Sequence, residues 1–438
     1  MTRLPRPPAD AHEIDGFPLD ATTKGVPHDA RLRLGDLASR RWNVLAGDLP
    51  FPVAVLRADR LAANSRWMAA FAAANGLTLA PHGKTTMAPQ LFALQMRDGA
   101  FAITVASVQQ LAVVRRFGFQ RAVLANQPVG RPAVDACFAA LSAEDGFELF
   151  CLADSLEGVA ALAEGAARSR QRRPLGVFVE IGFQGGRTGA RDPALALAVA
   201  RAVAAAPGLE LRGVEAFEGL LSDIGAIDAV LATIVSVARA AAAEGLFAPD
   251  KPVVLTAGGS AFFDRVGEAF ASADLGRPVQ RLLRSGCYLS HDSINYAQTF
   301  SRIRAQTSLA MPEGGLEAAL EVWAAVQSRP EPARAIVTMG KRDASFDNGL
   351  PVPLAWRAAR GAGGAQPLPG TQPLPGTMAL VAMNDQHGHL VMTPDCPIAV
   401  GDLVGFGVGH PCTTFDKWRV LYVVDGDYTV IDAVRTFF

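Results

Sequence analysis

Lysine and cysteine are both scarce in this chain. Of its 438 residues only five are lysine (24, 84, 251, 341 and 417), five are cysteine and seven are histidine. The cysteines, at 137, 151, 287, 396 and 412, are odd in number and contain no Cys-x-x-Cys pair, which excludes a disulfide framework as the basis of the fold. Blocks of like charge are missing and the formal net charge is −1, so there is no electrostatic footprint for nucleic acid or an anionic membrane. Long apolar runs are missing as well. AVLATIVSVA (229–238) is bounded by Asp228 and Arg239, short of the ~20 residues a membrane span needs. The opening MTRLPRPPADAHEIDG has no apolar h-region, so no secretory signal is read and a cytosolic location is expected. What is present is a chain half hydrophobic and 19% charged, with length for two or three domains and small molecules as its expected partners.

Between residues 77 and 290, short β-rich runs alternate with Ala- and Leu-rich stretches. The runs are LTLAPHG (77–83), FAITVAS (101–107), RAVLAN (121–126), FELFCLA (147–153), LGVFVEIG (175–182), LRGVEAFEG (211–219), PVVLTAGG (252–259) and RLLRSGCYL (281–289). Stretches such as ALALAVARAVAAA (194–206) suit helices by composition and length. Strands alternating with helices imply parallel βαβ units, and eight of them predict an α/β fold, a closed (β/α)8 TIM barrel over 58–298; an open doubly wound sheet is the alternative. PVAVLR (52–57) would be a ninth strand and is placed outside the barrel with the N-terminal segment 1–57. From 299 to 438 the pattern becomes strand-like with Gly and Asp turns, in ARAIVTMG (333–340), TMALVAMNDQHGHLVM (377–392), DLVGFGV (402–408) and residues 418–438, predicting a smaller β-rich domain. Within it, QPLPGTQPLPGT (366–377) is a tandem duplication rich in Pro and Gly, read as a flexible surface loop at about 360–377.

In a barrel, catalytic groups sit at the C-terminal ends of strands. Lys84 ends the first run, in PHGKTT, where burial and nearby positive charge would lower its pKa and make it a nucleophile toward carbonyls; the alternative is a lysine in solvent. Three turns bear on that choice. EIGFQGGRTGA (180–190) surrounds Arg187 with glycine, TAGGSAFFD (256–264) presents backbone N–H groups at a Gly-Gly-Ser step, and LRSGCYLSHD (283–292) repeats Ser-Gly after the eighth strand. Small-residue turns after strands seven and eight are where barrels hold a phosphate, and with a lysine on the first strand they point to pyridoxal phosphate. GHPC (409–412) places His410 and Cys412 two apart, on one side if the segment is extended. Imidazole and thiolate suit zinc, and without two further ligands the site would be catalytic; an ordinary histidine and a buried thiol are the alternative.

The ordered set PHGKTT, EIGFQGGRTGA, TAGGS, RSGCY, NDQHGHL and GHPC resembles the D-serine dehydratase and D-threonine aldolase family, pyridoxal phosphate enzymes of the alanine racemase fold, over about residues 50–435. The resemblance implies a homodimer and a β-domain that takes up the early strand. It implies that Lys84 is the Schiff-base lysine and that Arg187 contacts the pyridine ring side. Gly258, Gly259, Ser260, Ser285, Gly286 and Cys287 would cradle the phosphate with Tyr288 close by, and His410 and Cys412 would hold zinc. Dehydratases of the family carry His-x-Cys where aldolases tend to carry His-x-Asp, so Cys412 favours loss of a β-hydroxyl from D-serine or a related amino acid, giving a keto acid and ammonia. Retro-aldol cleavage and a non-catalytic cofactor-binding protein are the alternatives. The chain departs from the pattern at Thr86 and at Leu220, where histidines are common, and NDQHGHL matches only loosely, leaving His387 a weak candidate.

Overall fold

A computed structural model describes residues 3–143, 146–169, 173–359, 374 and 377–438. Each of the eight runs forms a strand: Thr78–Leu79, Ile103–Val105, Arg121–Leu124, Glu148–Ala153, Leu175–Ile181, Leu209–Ala216, Val253–Ala257 and Val279–Leu283. They pair in parallel in sequence order from the second to the eighth, and the eighth pairs with the first. The remaining gap is closed by a parallel bridge between His82 and Thr104, with Phe101 N–H donating to Leu79 O at 2.7 Å and Thr104 N–H to Pro81 O at 2.9 Å. The sheet is therefore a barrel and not an open doubly wound layer. Its lumen is filled by side chains, among them Val123, Val254, Leu282 and the stacked rings of Phe150 and Phe178 with centroids 5.1 Å apart. That plug leaves the C-terminal rim as the place for a ligand.

One outer helix is longer than the apolar run in the sequence suggests. Ile224–Ala243 has 20 residues and is long and apolar enough to cross a membrane by length and composition. It instead lies along the barrel, burying Ile227, Leu231, Ile234 and Val237, while Asp228 on its outer side pairs with Arg265. Asp223 caps its first turn by accepting from Ala226 N–H at 2.7 Å.

The C-terminal region is built on Leu320–Glu331, which pairs antiparallel with Val53–Arg57 on one edge and with Leu403–Gly407 on the other. Val53–Arg57 also pairs in parallel with Val420–Val424, so it is hydrogen-bonded on both edges and all five residues are buried, which accounts for its continuous apolar run. Leu320–Glu331 and Val352–Arg357 are strands that the sequence reading did not pick out. In the first, Glu321 interrupts the apolar pattern, yet it is buried because Trp323 Nε1 and the Tyr428 hydroxyl each donate to its Oε2 at 2.9 Å. The tandem duplication at 366–377 lies outside the described residues except for Leu374 and Thr377.

Candidate active site

Lys84 lies in one 3-10 turn, Gly83–Thr85, just beyond the first strand. The turn is pressed on the barrel wall: a Cβ on Gly83 would lie 2.7 Å from Ile103 Cγ2. Burial lowers the pKa of Lys84, and Arg187 and Arg284 push it the same way against the opposing Cys412 and Cys287 sulfurs. A neutral amine is thereby made more accessible at neutral pH, as a nucleophile or a base requires.

The turns after the seventh and eighth strands are tied together, because the Ser285 hydroxyl donates to Gly259 O at 3.0 Å. Gly286 has no room for a side chain, since a Cβ there would lie 2.5 Å from His82 O, so the eighth-strand turn rests on the backbone that leads into Lys84. Gly258 N–H and Gly259 N–H donate to Oε2 and Oε1 of the buried Glu218 at 3.1 and 3.0 Å. Adjacent backbone donors closing on both oxygens of one carboxylate form an oxyanion receptor, which is the test a phosphate-binding turn must meet. Ser260 follows in the same turn, half-buried ahead of the helix Phe263–Ala271. Tyr288 is buried and its hydroxyl is engaged by Gln95.

Below the cradle Arg284 is buried, its guanidinium 2.6 Å from Glu215 and donating to Thr256 Oγ1 at 2.9 Å and Ala216 O at 3.0 Å. Burial raises the Glu215 pKa to about 8 despite Arg284. Arg187 stands over the Phe217 ring with its guanidinium carbon 4.8 Å from the centroid. Its loop is fastened by Thr188, which donates to Glu180 Oε1 at 2.8 Å, and by Arg191, which donates to Gly189 O and Gly186 O. Leu220 lines the same small cleft as Arg187 and Phe217. His82 Nδ1 is buried with no partner among the described residues, a polar atom left for a ligand.

The GHPC segment is not extended, contrary to the sequence reading. Pro411 adopts helical angles (φ −55°, ψ −40°) and caps the short helix Cys412–Phe415, whose Thr414 and Phe415 N–H groups donate to Pro411 O at 3.0 and 2.8 Å. Proline has no N–H to lose at a helix start, so this position suits it. The His410 and Cys412 side chains still meet through a hydrogen bond. Cys412 Sγ lies 3.5 Å from Thr85 Oγ1 and 3.6 Å from Cys287 Sγ, so the pair faces the turn that carries Lys84. The Cys412 thiol is held well below its ordinary pKa by hydrogen bonding with Cys287, His410 and Thr85. On the far side of the imidazole, His410 Nδ1 is 2.6 Å from Asp347 Oδ2, and the Thr413 hydroxyl donates to Asp347 Oδ1 at 2.8 Å. A thiol biased toward its anion beside an imidazole oriented by a carboxylate is a donor set that fits a zinc-like cation. His387 stands exposed in the hairpin turn between Met378–Met383 and Gly388–Met392.

Glu180, Glu215, Glu218, Arg284 and Asp347 were not singled out from the sequence. Charged residues in or just beyond apolar strand runs, as in VFVEIG, GVEAFEG and RLLRSG, were the available signal for four of them. Asp347 carried no such signal, being one acid in a loop.

Comparison with known proteins follows the same division. Residues 56–278 match the family model described as Alanine racemase, N-terminal domain, and residues 319–424 match the Putative serine dehydratase domain. A 3-hydroxy-D-aspartate aldolase of Paracoccus denitrificans (strain Pd 1222) is 27% identical over 312 residues, 69% of this chain and 75% of that protein. D-threonine aldolase from Filomicrobium marinum superposes with a TM-score of 0.71 at 23% identity, covering 89% of this chain and 95% of that one. A cysteine-to-alanine mutant of D-threo-3-hydroxyaspartate dehydratase in the metal-free form gives 0.67 at 22% identity, covering 90% and 99%.

Proposed function

Because the chain belongs to the alanine racemase N-terminal domain family, we propose that it is a pyridoxal phosphate-dependent lyase acting on β-hydroxy D-amino acids, with zinc held by His410 and Cys412. The observation that carries this is the meeting of two sets of residues: Cys412 Sγ lies 3.5 Å from Thr85 Oγ1, next to Lys84. A lysine, an oxyanion receptor and a soft-metal pair thus face one barrel mouth.

Lys84 would hold the cofactor covalently, the Gly258–Ser260 and Ser285–Cys287 turns would hold its phosphate, and buried Arg284 would lie beneath it. The bound cofactor supplies an electron sink for the bond broken at the substrate Cα. Zinc at His410 and Cys412 supplies a Lewis acid for the β-oxygen. Lys84 Nζ would be the base that takes the Cα proton, and its lowered pKa favours the neutral amine that can accept it. Asp347 holds the His410 ring through Nδ1, beside Cys412. Arg187 fixes charge at the rim on its Phe217 platform.

Within this class we assign β-elimination, giving a keto acid and ammonia, on the strength of Cys412 as metal donor and the match to a serine dehydratase domain. The aldolase relatives favour a second reading, cleavage of the Cα–Cβ bond in the same site. Incubation with D-serine, D-threonine and D-3-hydroxyaspartate decides between them by product: keto acid with ammonia supports elimination, and glycine with an aldehyde, or glyoxylate from the dicarboxylate, supports cleavage. No product across the panel would support a non-catalytic cofactor-binding protein.

A further inference from the structure

Two of the five cysteines meet where the barrel mouth touches the β-rich region. Cys287 and Cys412 are 125 residues apart in sequence, and their Sγ atoms are 3.6 Å apart. Thr85 Oγ1 stands to one side and completes a nearly equilateral triangle with them, 3.5 Å from Cys412 Sγ and 3.8 Å from Cys287 Sγ. Each sulfur sits on a well-braced piece of backbone. Cys287 follows Gly286, which is packed on His82 O, and Cys412 opens a helical turn stapled to Pro411 O. Cys287 is buried, whereas Cys412 is half-buried and so reachable by a small oxidant. A disulfide has S–S near 2.05 Å, so the sulfurs need approach by only about 1.5 Å, within reach of side-chain rotation.

We propose that Cys287 and Cys412 are a covalent modification site: in the metal-free protein a peroxide joins them as a reversible disulfide, and a metal bound at His410 and Cys412 prevents it. With hydrogen peroxide, the Cys412 sulfur attacks one oxygen and the O–O bond breaks. This leaves a sulfenic acid on Cys412 and releases one water, which carries the thiol proton. The Cys287 sulfur then attacks the Cys412 sulfur, the S–O bond breaks, and the departing hydroxide takes the Cys287 proton as a second water. Two thiols are oxidised and one peroxide is reduced to two waters. The disulfide removes the thiolate that a metal would use and ties the turn after the eighth strand to the β-rich region. The protective effect of metal rests on the function proposed above; the cross-link itself does not.

The test uses the purified full chain, one portion stripped with a chelator and one loaded with zinc, each exposed to hydrogen peroxide. In the stripped sample, non-reducing peptide mapping should join the Cys287 peptide to the Cys412 peptide. Titratable thiols in denaturant should fall from five to three, and dithiothreitol should restore them. The zinc-loaded sample should cross-link at least about tenfold more slowly, and Cys287→Ser should abolish the link while Cys412 gains oxygen. Retention of all five thiols, or oxygen addition to Cys412 in the wild type without the linked peptide, would overturn the disulfide. Equal rates with and without zinc would overturn the metal protection and the metal assignment while leaving the cross-link intact.

Discussion

At the scale of residues, the site depends on a few groups whose neighbours set their chemistry. Lys84→Ala should eliminate cofactor absorbance in the near-visible region and lower turnover by at least about 10²-fold, the range for losing a positioned acid–base group; a variant that keeps the absorbance would refute the covalent role. Asp347 fixes the His410 ring through its 2.6 Å contact, so Asp347→Asn should weaken zinc binding by about 10–100-fold in competition with a chromophoric chelator. Glu218 occupies the Gly258 and Gly259 donors and would compete with a phosphate dianion for them. Glu218→Gln should therefore tighten pyridoxal phosphate binding roughly tenfold, about 1.4 kcal/mol, read by fluorescence titration; unchanged or weaker binding would show that the carboxylate builds the cradle instead of filling it. Lys84, His410 and Cys412 were legible as candidates in the sequence because lysine, histidine and cysteine are rare here; the structure shows only that they lie near one another. Asp347 was not, because it meets His410 only through a loop 63 residues upstream.

At the scale of elements, the barrel was legible because each buried parallel strand is a short apolar run and each outer helix a long Ala-rich one. The β-rich region was less so, because strands such as Leu320–Glu331 carry buried charge whose partners come from elsewhere in the chain. Glu321 in that strand is accompanied by Arg57 at 3.7 Å and Arg60 at 3.3 Å. The same reasoning applies to the buried Arg284–Glu215 pair, which joins the eighth strand to the sixth. Arg284→Met would leave Glu215 without its cation, a loss that reaches about 3–5 kcal/mol only where the carboxylate is ionised, above about pH 8. In the wild type the Glu215 pKa is raised from 4.5 to about 8, so the folded protein holds that proton more tightly than the unfolded chain. Its contribution is then most favourable at low pH and declines as pH rises toward 8. In the variant, protonation relieves the lone carboxylate, so the Tm deficit relative to wild type should widen from pH 6 to pH 9; a deficit independent of pH would contradict the pairing. Gly286→Ala should also lower Tm, by the equivalent of about 1–3 kcal/mol, because the added methyl meets His82 backbone.

At the scale of the whole molecule, a barrel supplies a lysine and an oxyanion receptor while the β-rich region supplies an imidazole and a thiol to the same mouth. Neither part holds the full set: Lys84 and the two glycine turns come from barrel strand ends, His410 and Cys412 from the segment after Leu403–Gly407. On the function proposed above, that combination would favour breaking a bond to the β-carbon over simple proton exchange at Cα. The most direct measurement is product identification from D-serine, D-threonine and D-3-hydroxyaspartate with the enzyme loaded with pyridoxal phosphate and zinc. Release of ammonia and the corresponding keto acid, lost on chelation and restored by zinc, is the predicted result. Glycine with an aldehyde, or turnover that persists after verified metal removal, would contradict it.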